Sequence, residues 1–226
     1  MISVVIPTYQ EQESIEPFLT YLLENQFGYI KEIIVADATN CQVTKEIVER
    51  KQLKFIHGRK GRSIQMNNGA HEASGGILYF LHADSYPPKH FDLAIVEAVK
   101  NGNGAGCFYM GFDSNHIILR TFGWFTRFKN SWCRGGDQSL YIERSLFNAI
   151  GKFDEDFLIL EDSEIIPRIK KETKFKVIQI KLTTSARRYR ENGVVRLQFL
   201  FGIIHVGYRF GFSHNSLLAF YKKHIY

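Results

Sequence analysis

Four short apolar runs, separated by stretches with helical spacing, constrain the fold of this chain more than any other feature. The runs are ISVVIP, KEIIVAD, LKFIHG and GILYFLHAD. Their length and their content of Val and Ile are typical of buried strands. The segments 15–23, 43–48 and 64–73 carry apolar residues at the spacing of a helix. The first half therefore reads strand, helix, strand, helix, strand, helix, strand.

This alternation predicts an α/β fold with a mainly parallel sheet flanked by helices on both faces. Parallel neighbours need a crossover connection, which a helix normally supplies. In such sheets, ligands bind at the carboxyl ends of the strands. We therefore expect functional residues at 7–11, 37–39, 57–62 and 82–85.

The second half continues with different material. A glycine-rich GNGAGCFYMGF precedes an aromatic and basic stretch at 120–132, and GGDQSLYIERSLFNAIGKFDEDFLILEDSE follows. We expect this part to extend the sheet and carry a second binding face. After a strand-like FKVIQIKL come RRYRENG and an apolar, helix-like segment at 194–212. Polar residues interrupt that segment, so it does not predict a membrane span.

Length and composition favour an ordinary globular enzyme. The chain has 226 residues, of which 45% are hydrophobic and 23% charged, so one main core is expected. Cys41, Cys107 and Cys133 are too widely spaced for a zinc site and are expected to be reduced thiols. The first residues lack the pattern of a targeting segment. We therefore expect a cytoplasmic location.

The charge indicates an anionic partner without choosing one. A net charge of +6 suits a phosphate ligand, a nucleic acid or an acidic membrane surface. The first strand is not followed by Gly-x-Gly-x-x-Gly, and HGRKGRS lacks the Gly-Lys-Ser/Thr of a phosphate-binding loop. What remains at the expected edge is a mixture of carboxylates and cations that suits a nucleoside diphosphate. Its members are Glu11, Asp37, Arg59, Arg62 and Asp84.

A resemblance to a known family rests on several stretches in one order. These are SVVIPTYQEQESI, IIVADAT, GRSIQMNNGAHEASGGILYFLHADSYPP and GGDQSLYIERSLFNAIGKFDEDFLILEDSE. Together they resemble glycosyltransferase family 2, the inverting enzymes with the GT-A fold, a Rossmann-like fold that binds nucleotide-diphosphate sugars. The resemblance covers about residues 2–190. Within the family, the GR-x-x-QMN-x-GA and FLHAD stretches resemble the selenodomain-associated transferases.

The resemblance implies a nucleotide site after the first two strands. Pro7, Thr8, Tyr9, Glu11 and Asp37 match the positions that hold the base and ribose. An alternative reading from the residues alone is a helix start, in which Thr8 and Glu11 form a capping box.

Cations are expected around the diphosphate. Arg62, with Gln65 and Asn67, opens the helix before FLHAD, where backbone N–H groups favour phosphate. Arg187 and Arg188 match a cationic segment that closes over the diphosphate in the family. The alternative for both groups is a solvated surface.

The resemblance implies that the HAD tripeptide contributes a metal ligand. Asp84 matches the last aspartate of the family's Asp-x-Asp motif, which binds Mn²⁺ or Mg²⁺ beside the phosphates. His82 departs from that motif, so it either tolerates manganese or hydrogen-bonds the nucleotide. Ala83 between them is expected to border the nucleotide.

The acceptor side is implied by two later stretches. Asp162 matches the general base, with Glu161 as the second candidate, although acids in a first helical turn also complement the helix dipole. The loop of Gly135, Gly136, Asp137 and Gln138 matches the acceptor border, or is an ordinary tight turn.

The resulting hypothesis is an inverting, metal-assisted glycosyltransferase. It would move a sugar from a nucleotide diphosphate donor, a UDP-sugar by family habit, to a hydroxyl acceptor that can be lipid-linked. Residues 1–100 would bind the nucleotide and 101–190 the acceptor. Residues 191–226 would form a helical extension that packs on the domain, on a membrane or in a homodimer. The rivals are an inactive nucleotide-sugar binding protein and a nucleic-acid binding module, although no nucleic-acid partner is expected.

Overall fold

The computed structural model describes residues 1–39, 41–130 and 138–225. Its strands are β1 (Ile2–Thr8), β2 (Ile30–Asp37), β3 (Lys54–His57), β4 (Ile77–Phe80), β5 (Ser85–Tyr86), β6 (Ala105–Phe112), β7 (Leu140–Glu143) and β8 (Phe175–Thr184). Its helices are α1 (Ile15–Asn25), α2 (Gln42–Arg50), α3 (Arg62–Glu72), α4 (Phe91–Lys100), α5 (Ile117–Phe125), α6 (Arg144–Ala149), α7 (Glu161–Glu172), α8 (Arg187–Asn192), α9 (Val194–Arg209) and α10 (His214–His224).

One sheet carries all of these strands, in the order β3-β2-β1-β4-β7-β6-β8-β5. Strand β1 pairs in parallel with β2 and β4, β2 with β3, and β6 with β8. The pairs β4–β7, β6–β7 and β5–β8 are antiparallel. The predicted α/β fold with a mainly parallel sheet is confirmed, and so are the four strands and three helices expected in the first half.

Alternation along the strands explains why both faces of the sheet are covered. Successive residues of a strand point to opposite faces. In β1, Val4 packs on the face of α1, α2 and α4, whereas Val5 packs on the face of α3, α6 and α7. Both are fully buried, which accounts for the unbroken apolar run in the sequence.

A third, smaller cluster joins the helices at the end of the chain to α5. Its buried members are Leu119, Ala186, Tyr189, Leu197, Ile204 and Ile225. The expected helix at 194–212 is present as α9. Within the described residues, the chain has no helix that combines the length and the apolarity needed to cross a membrane.

The HAD tripeptide lies in a tight turn between the centre of the sheet and its edge. Strand β4 ends at Phe80, and β5 begins at Ser85. The Ser85 N–H donates to the carbonyl oxygen of His82 at 3.1 Å. Ser85 and Tyr86 then pair with Thr184 and Thr183 of β8. The turn therefore fixes the carboxyl end of β4 to the carboxyl end of β8.

Gly106 allows β6 to join the two parts of the sheet. An added Cβ would lie 2.1 Å from the carbonyl oxygen of Lys176 and 2.6 Å from the Tyr141 hydroxyl. We expect Gly106→Ala to lower the free energy of unfolding by about 1–3 kcal/mol, because backbone and a buried ring must move. Chemical denaturation measures this change.

Gly76→Ala is the matched control, since an added Cβ there meets no atom within 4 Å. It should change the stability by no more than about 1 kcal/mol. Equal stability of the two variants would contradict the assigned strand pairing.

Candidate active site

Asp37 organises the loops that follow β1 and β2. Its side chain is only 1% exposed. One carboxylate oxygen accepts from the Thr8 hydroxyl at 2.9 Å. The other accepts from the Thr39 backbone N–H at 2.9 Å and the Thr39 hydroxyl at 2.7 Å, with the Cys41 N–H at 3.4 Å. The carboxylate thus holds both loops in place. Pro7 pairs with Ala36 near the carboxyl ends of β1 and β2, from which these loops continue.

Glu11, in the loop after β1, lies beside Arg187 of helix α8. Helix α1 begins at Ile15 and Thr8 belongs to β1, so the capping-box alternative for Thr8 and Glu11 is wrong. One Glu11 oxygen accepts from the Ser14 hydroxyl at 2.7 Å. The other lies 3.6 Å from Nη2 of Arg187. The predicted nucleotide loop and the predicted cationic segment are therefore neighbours.

Tyr9 presents an aromatic face at the same edge. Its side chain is 40% exposed, and Nζ of Lys60 lies 3.6 Å from the ring centroid. A ring in contact with a lysine suits a planar, polar ligand such as a nucleobase.

Helix α3 braces the ends of β1 and β2. Nε2 of Gln65 donates to the carbonyl oxygens of Thr8 at 2.7 Å and Ala36 at 2.6 Å. The side chain is buried. Gln65 therefore positions the strand ends, and its amide N–H groups are engaged within the protein.

The same helix holds the segment that leads into α7. Asn67 donates to the Phe153 carbonyl at 2.9 Å and to Oε1 of Glu155 at 3.0 Å, and it accepts from the Phe153 N–H at 3.1 Å. The Ser63 hydroxyl donates to the Phe157 carbonyl at 3.1 Å. The Asn67 amide is thus committed to this turn, and its burial disagrees with the alternative of a solvated helix start. Its predicted role at the diphosphate stays a prediction.

Arg62 and Glu161 connect α3 with α7. Nη1 of Arg62 lies 3.7 Å from Oε1 of Glu161, whose side chain is only 3% exposed, while that of Arg62 is half-exposed. Leu160, just before α7, has the left-handed φ of 64°, which is uncommon outside glycine. Glu161 and Asp162 therefore lie in the first turn of α7, directly after a sharp change of direction.

Asp84 is fixed in position by the end of β8. Its carbonyl accepts from the Ser185 N–H at 3.0 Å, and its Oδ1 accepts from the Ser85 hydroxyl at 3.2 Å. The side chain is partly exposed, whereas Ala83 belongs to the buried core and His82 is largely buried. Because Arg187 follows Ser185 by two residues, Asp84 and the cationic helix α8 are held on one support.

Arg188 points to another part of the molecule. Its Nη2 donates to the Tyr221 hydroxyl at 2.6 Å, and its guanidinium lies 5.7 Å from the centroids of the Phe201 and Tyr221 rings. Its contacts thus join α8 to α9 and α10, while Arg187 lies near Glu11 in the loop after β1.

The donor set at Asp84 fits a metal ion only in part. Across residues 1–39, 41–130 and 138–225, no group of three His, Cys, Asp or Glu side chains can hold a metal ion. Mg²⁺ in proteins usually keeps several waters and is bound by one or two carboxylates together with substrate phosphates. The Asp84 carboxylate fits an ion of that kind, whose coordination a diphosphate completes.

The predicted acceptor loop falls mostly outside the described residues. Gly135, Gly136 and Asp137 are not part of the described structure. Gln138 is described; it lies two residues before β7 and is only 3% exposed. Its expected contact with an acceptor stays a prediction.

Comparison with known proteins decides the family. The family model described as Glycosyl transferase family 2 matches residues 3–153, which include most of β1, Asp37, α3 and Asp84. The chain belongs to glycosyl transferase family 2. Residues 154–225, with Asp162 and Arg187, lie beyond the matched segment.

Similar proteins agree with this family. A dolichol-phosphate mannosyltransferase of Pyrococcus furiosus is 32% identical over 108 residues, which are 45% of this chain and 31% of that protein. The mannosyltransferase PcManGT from Pyrobaculum calidifontis, in complex with GDP-Man and Mn²⁺, has a TM-score of 0.64 at 18% identity, over 89% of this chain and 64% of that one. A fragment of S. aureus TarS in complex with UDP-GlcNAc has a TM-score of 0.66 at 18% identity, over 81% of this chain and 58% of that one.

The chain spans less than two thirds of the length of each of these three relatives. Because the two solved structures are only 18% identical to this chain, the likeness shows the shared GT-A fold and nothing finer.

Sequence reasoning missed several residues that hold the site together. Thr184 bonds the Ser85 hydroxyl at 3.0 Å, and Asp113 accepts from the Ala186 N–H at the start of α8. Both contacts join residues far apart in the chain, so no local pattern announces them. A Thr–Thr–Ser sequence at a strand end was the available signal, and it is common in loops.

His214 provides a pH-dependent contact beside the entry to α7. Its Nε2 accepts from the Leu158 N–H at 3.2 Å, and its ring packs 4.7 Å from that of Phe157. Burial lowers the pKa of the imidazole, while Asp154, Glu161 and Asp156 act in the opposite direction. Its contribution to stability is complete above the unfolded histidine pKa of about 6.5 and is lost as the pH falls towards the lowered folded value.

We expect the wild type to lose more unfolding free energy than His214→Gln between about pH 7.5 and about pH 5, because glutamine does not titrate. Denaturation at a series of pH values measures both. Parallel stability curves for the two proteins would contradict a depressed pKa of His214.

Proposed function

We propose that this chain is the catalytic domain of an inverting glycosyltransferase that uses a nucleotide diphosphate sugar and a hydroxyl acceptor. The proposal is supported by two turns that carry carboxylates. The β5–β8 pairing holds the turn with Asp84 at the carboxyl end of β4, and contacts from α3 hold the segment that leads into the first turn of α7, which carries Asp162. Membership of the family supports the reaction class.

The donor would lie over the carboxyl ends of β1 and β2. Tyr9 offers a ring for the base, and the loop fixed by Asp37 offers backbone groups for the ribose. Arg62 and Arg187 supply charge for the phosphates. Both guanidinium groups are about half-exposed, so a diphosphate could reach them from solvent.

Asp84 would hold Mn²⁺ or Mg²⁺ together with the diphosphate. When bound, the ion would neutralise charge on the nucleoside diphosphate as it leaves. The Mn²⁺ in the complex of PcManGT with GDP-Man supports a divalent ion for this fold. His82, largely buried next to Asp84, would support the turn or contact the nucleotide.

Asp162 would remove the proton from the acceptor hydroxyl. It lies in the first turn of α7, next to the buried Glu161 that faces Arg62. Direct displacement requires the base and the leaving diphosphate on opposite sides of the sugar. Gln138, with Gly135, Gly136 and Asp137, would border the acceptor.

Relatives suggest where to search for substrates. UDP-GlcNAc and GDP-Man are the donors in the TarS and PcManGT complexes, and we propose a UDP-sugar as the first donor to test. The name dolichol-phosphate mannosyltransferase supports a lipid-linked acceptor. A cytoplasmic protein that works at a membrane surface, alone or as a homodimer, fits such an acceptor.

A donor screen tests the nucleotide site. The matching nucleotide sugar with Mn²⁺ should raise the melting temperature, because a ligand at about 100 times its Kd stabilises the fold by about 2.7 kcal/mol. Asp84→Asn should remove the part of the shift that depends on Mn²⁺. The control Asp156→Asn, an exposed acid of the turn before α7, should keep it. A Mn²⁺-dependent shift that survives in Asp84→Asn would contradict the metal role.

Turnover tests the base. Asp162→Asn should lower the release of nucleoside diphosphate in the presence of acceptor by at least about 100-fold, the usual contribution of general base catalysis. Its donor-induced thermal shift should stay near that of the wild type, as should both properties of Asp156→Asn. Full activity of Asp162→Asn would refute the assignment, and donor binding without turnover in the wild type would favour the inactive binding protein.

A further inference from the structure

The surface formed by residues 117–130 and 194–225, here called the C-terminal face, exposes an unusual number of large apolar side chains. Its exposed members are Ile117, Phe122, Trp124, Phe125, Phe128, Val195, Phe199, Ile203, Val206, Phe210 and Phe212. Val195 and Phe199 are each 67% exposed and Phe210 is 78% exposed. Contiguous apolar surface of this kind marks a contact with another body, because a solitary soluble domain rarely displays it.

A groove runs along this face between α5, α9 and α10. Its volume is about 920 Å³. Of the residues that line it, Gln198 and Ser216 are polar, and the others are apolar or glycine. Ile204 and Tyr221 anchor α9 and α10 to the domain in the third core cluster, so the groove faces away from a packed support.

The charges of the C-terminal face all have one sign. The segments 117–130 and 194–225 contain no Asp or Glu. Their lysines and arginines are all exposed, and they are Arg120, Arg127, Lys129, Arg196, Arg209, Lys222 and Lys223. The C-terminal face thus combines exposed apolar side chains with cations and has no acidic residue of its own.

The combination of exposed apolar side chains and basic residues indicates what binds to the C-terminal face. A second copy of the chain in a symmetric dimer would place two basic surrounds against each other, which opposes association. An anionic bilayer offers the complementary surface, since its headgroups attract lysine and arginine and its acyl boundary accepts aromatic and aliphatic side chains. Trp124, with the adjacent rings of Phe125 and Phe128, has the amphipathic character favoured at that boundary.

We propose that the C-terminal face docks peripherally on an anionic lipid bilayer. The apolar side chains of α5 and α9 enter the headgroup boundary, and the surrounding cations bind the headgroups. In the described residues the chain has no helix able to span the bilayer, which agrees with docking in the plane of the surface.

The docking face is continuous with the catalytic edge. Leu160, directly before Glu161, packs with the cluster that holds α9 and α10. Arg188 bonds Tyr221 of α10, whereas the adjacent Arg187 lies near Glu11. Docking therefore sets the acceptor side of the domain beside the membrane, although the docking itself does not depend on the proposed transfer reaction.

Sedimentation with vesicles tests the proposal without any turnover. The full chain should bind vesicles of phosphatidylcholine mixed with phosphatidylserine at least about 10-fold more tightly than phosphatidylcholine alone, and added salt should weaken the binding. Equal binding to both vesicles, or no binding to either, would overturn the proposal.

Two double variants locate the contact. Phe199→Ser with Phe210→Ser should weaken binding to the anionic vesicles by about 10-fold or more, and so should Lys222→Glu with Lys223→Glu. All four side chains are exposed, so folding should be preserved, which circular dichroism and the melting temperature check. Lys100→Glu with Lys171→Glu makes the same change in net charge on α4 and α7 and should bind like the wild type.

The oligomeric state distinguishes membrane docking from the other possible occupant, a second copy of the chain. Analytical ultracentrifugation of the wild type should give a monomer over the concentrations used with vesicles. A dimer that Phe199→Ser with Phe210→Ser dissociates would assign the face to a second copy and overturn membrane docking. Equal loss of binding in the control pair would reduce the effect to net charge and would also overturn it.

Discussion

The amide of Gln65 is the contact on which the geometry of the catalytic edge depends. One buried nitrogen donates to a carbonyl of β1 and a carbonyl of β2 at the point where the ladder of these strands ends. Leaving buried carbonyls without donors would cost about 1–3 kcal/mol each, so the strands are held at a fixed separation. Ser63 and Asn67, on the same helix, tie down the segment before α7. A single helix thus holds both the ends of β1 and β2 and the segment that leads into α7.

The arginines of this edge are more exposed than its amides. Arg62 and Arg187 are about half-exposed and lie 3.7 and 3.6 Å from the carboxylates of Glu161 and Glu11, whose side chains are only 3% and 19% exposed. Each pair thus joins a guanidinium that faces solvent to a carboxylate that the fold shields. In the proposed reaction, a diphosphate would present more charge and better bidentate geometry than a lone carboxylate.

The sequence predicted the strands, the helices between them and the edge where the polar residues meet, because those features depend on local periodicity. Glu11 and Arg187 were expected at one ligand, and the fold brings them together across the chain. The capping-box alternative failed because β1 continues through Thr8 and delays α1 until Ile15. The roles of Gln65, Asn67 and Thr184 were out of reach, since each depends on a partner that only the folded chain supplies. Metal, base and acceptor roles rest on the family resemblance alone, because they concern groups that bind from outside.

The turn through His82 and Asp84 also has a geometric consequence for the whole sheet. Strands β4 and β5 are four strand spacings apart in the sheet order, which is about 19 Å in a flat sheet. The chain from Phe80 to Ser85, shortened by the bond between Ser85 and His82, can reach only about 14 Å. The sheet therefore cannot be flat, because the short connection from Phe80 to Ser85 requires it to curve. Lengthening the turn by even a few residues would relax that curvature and move the Asp84 side away from the α7 side, so the length of this loop is as much a part of the site as the side chains it carries.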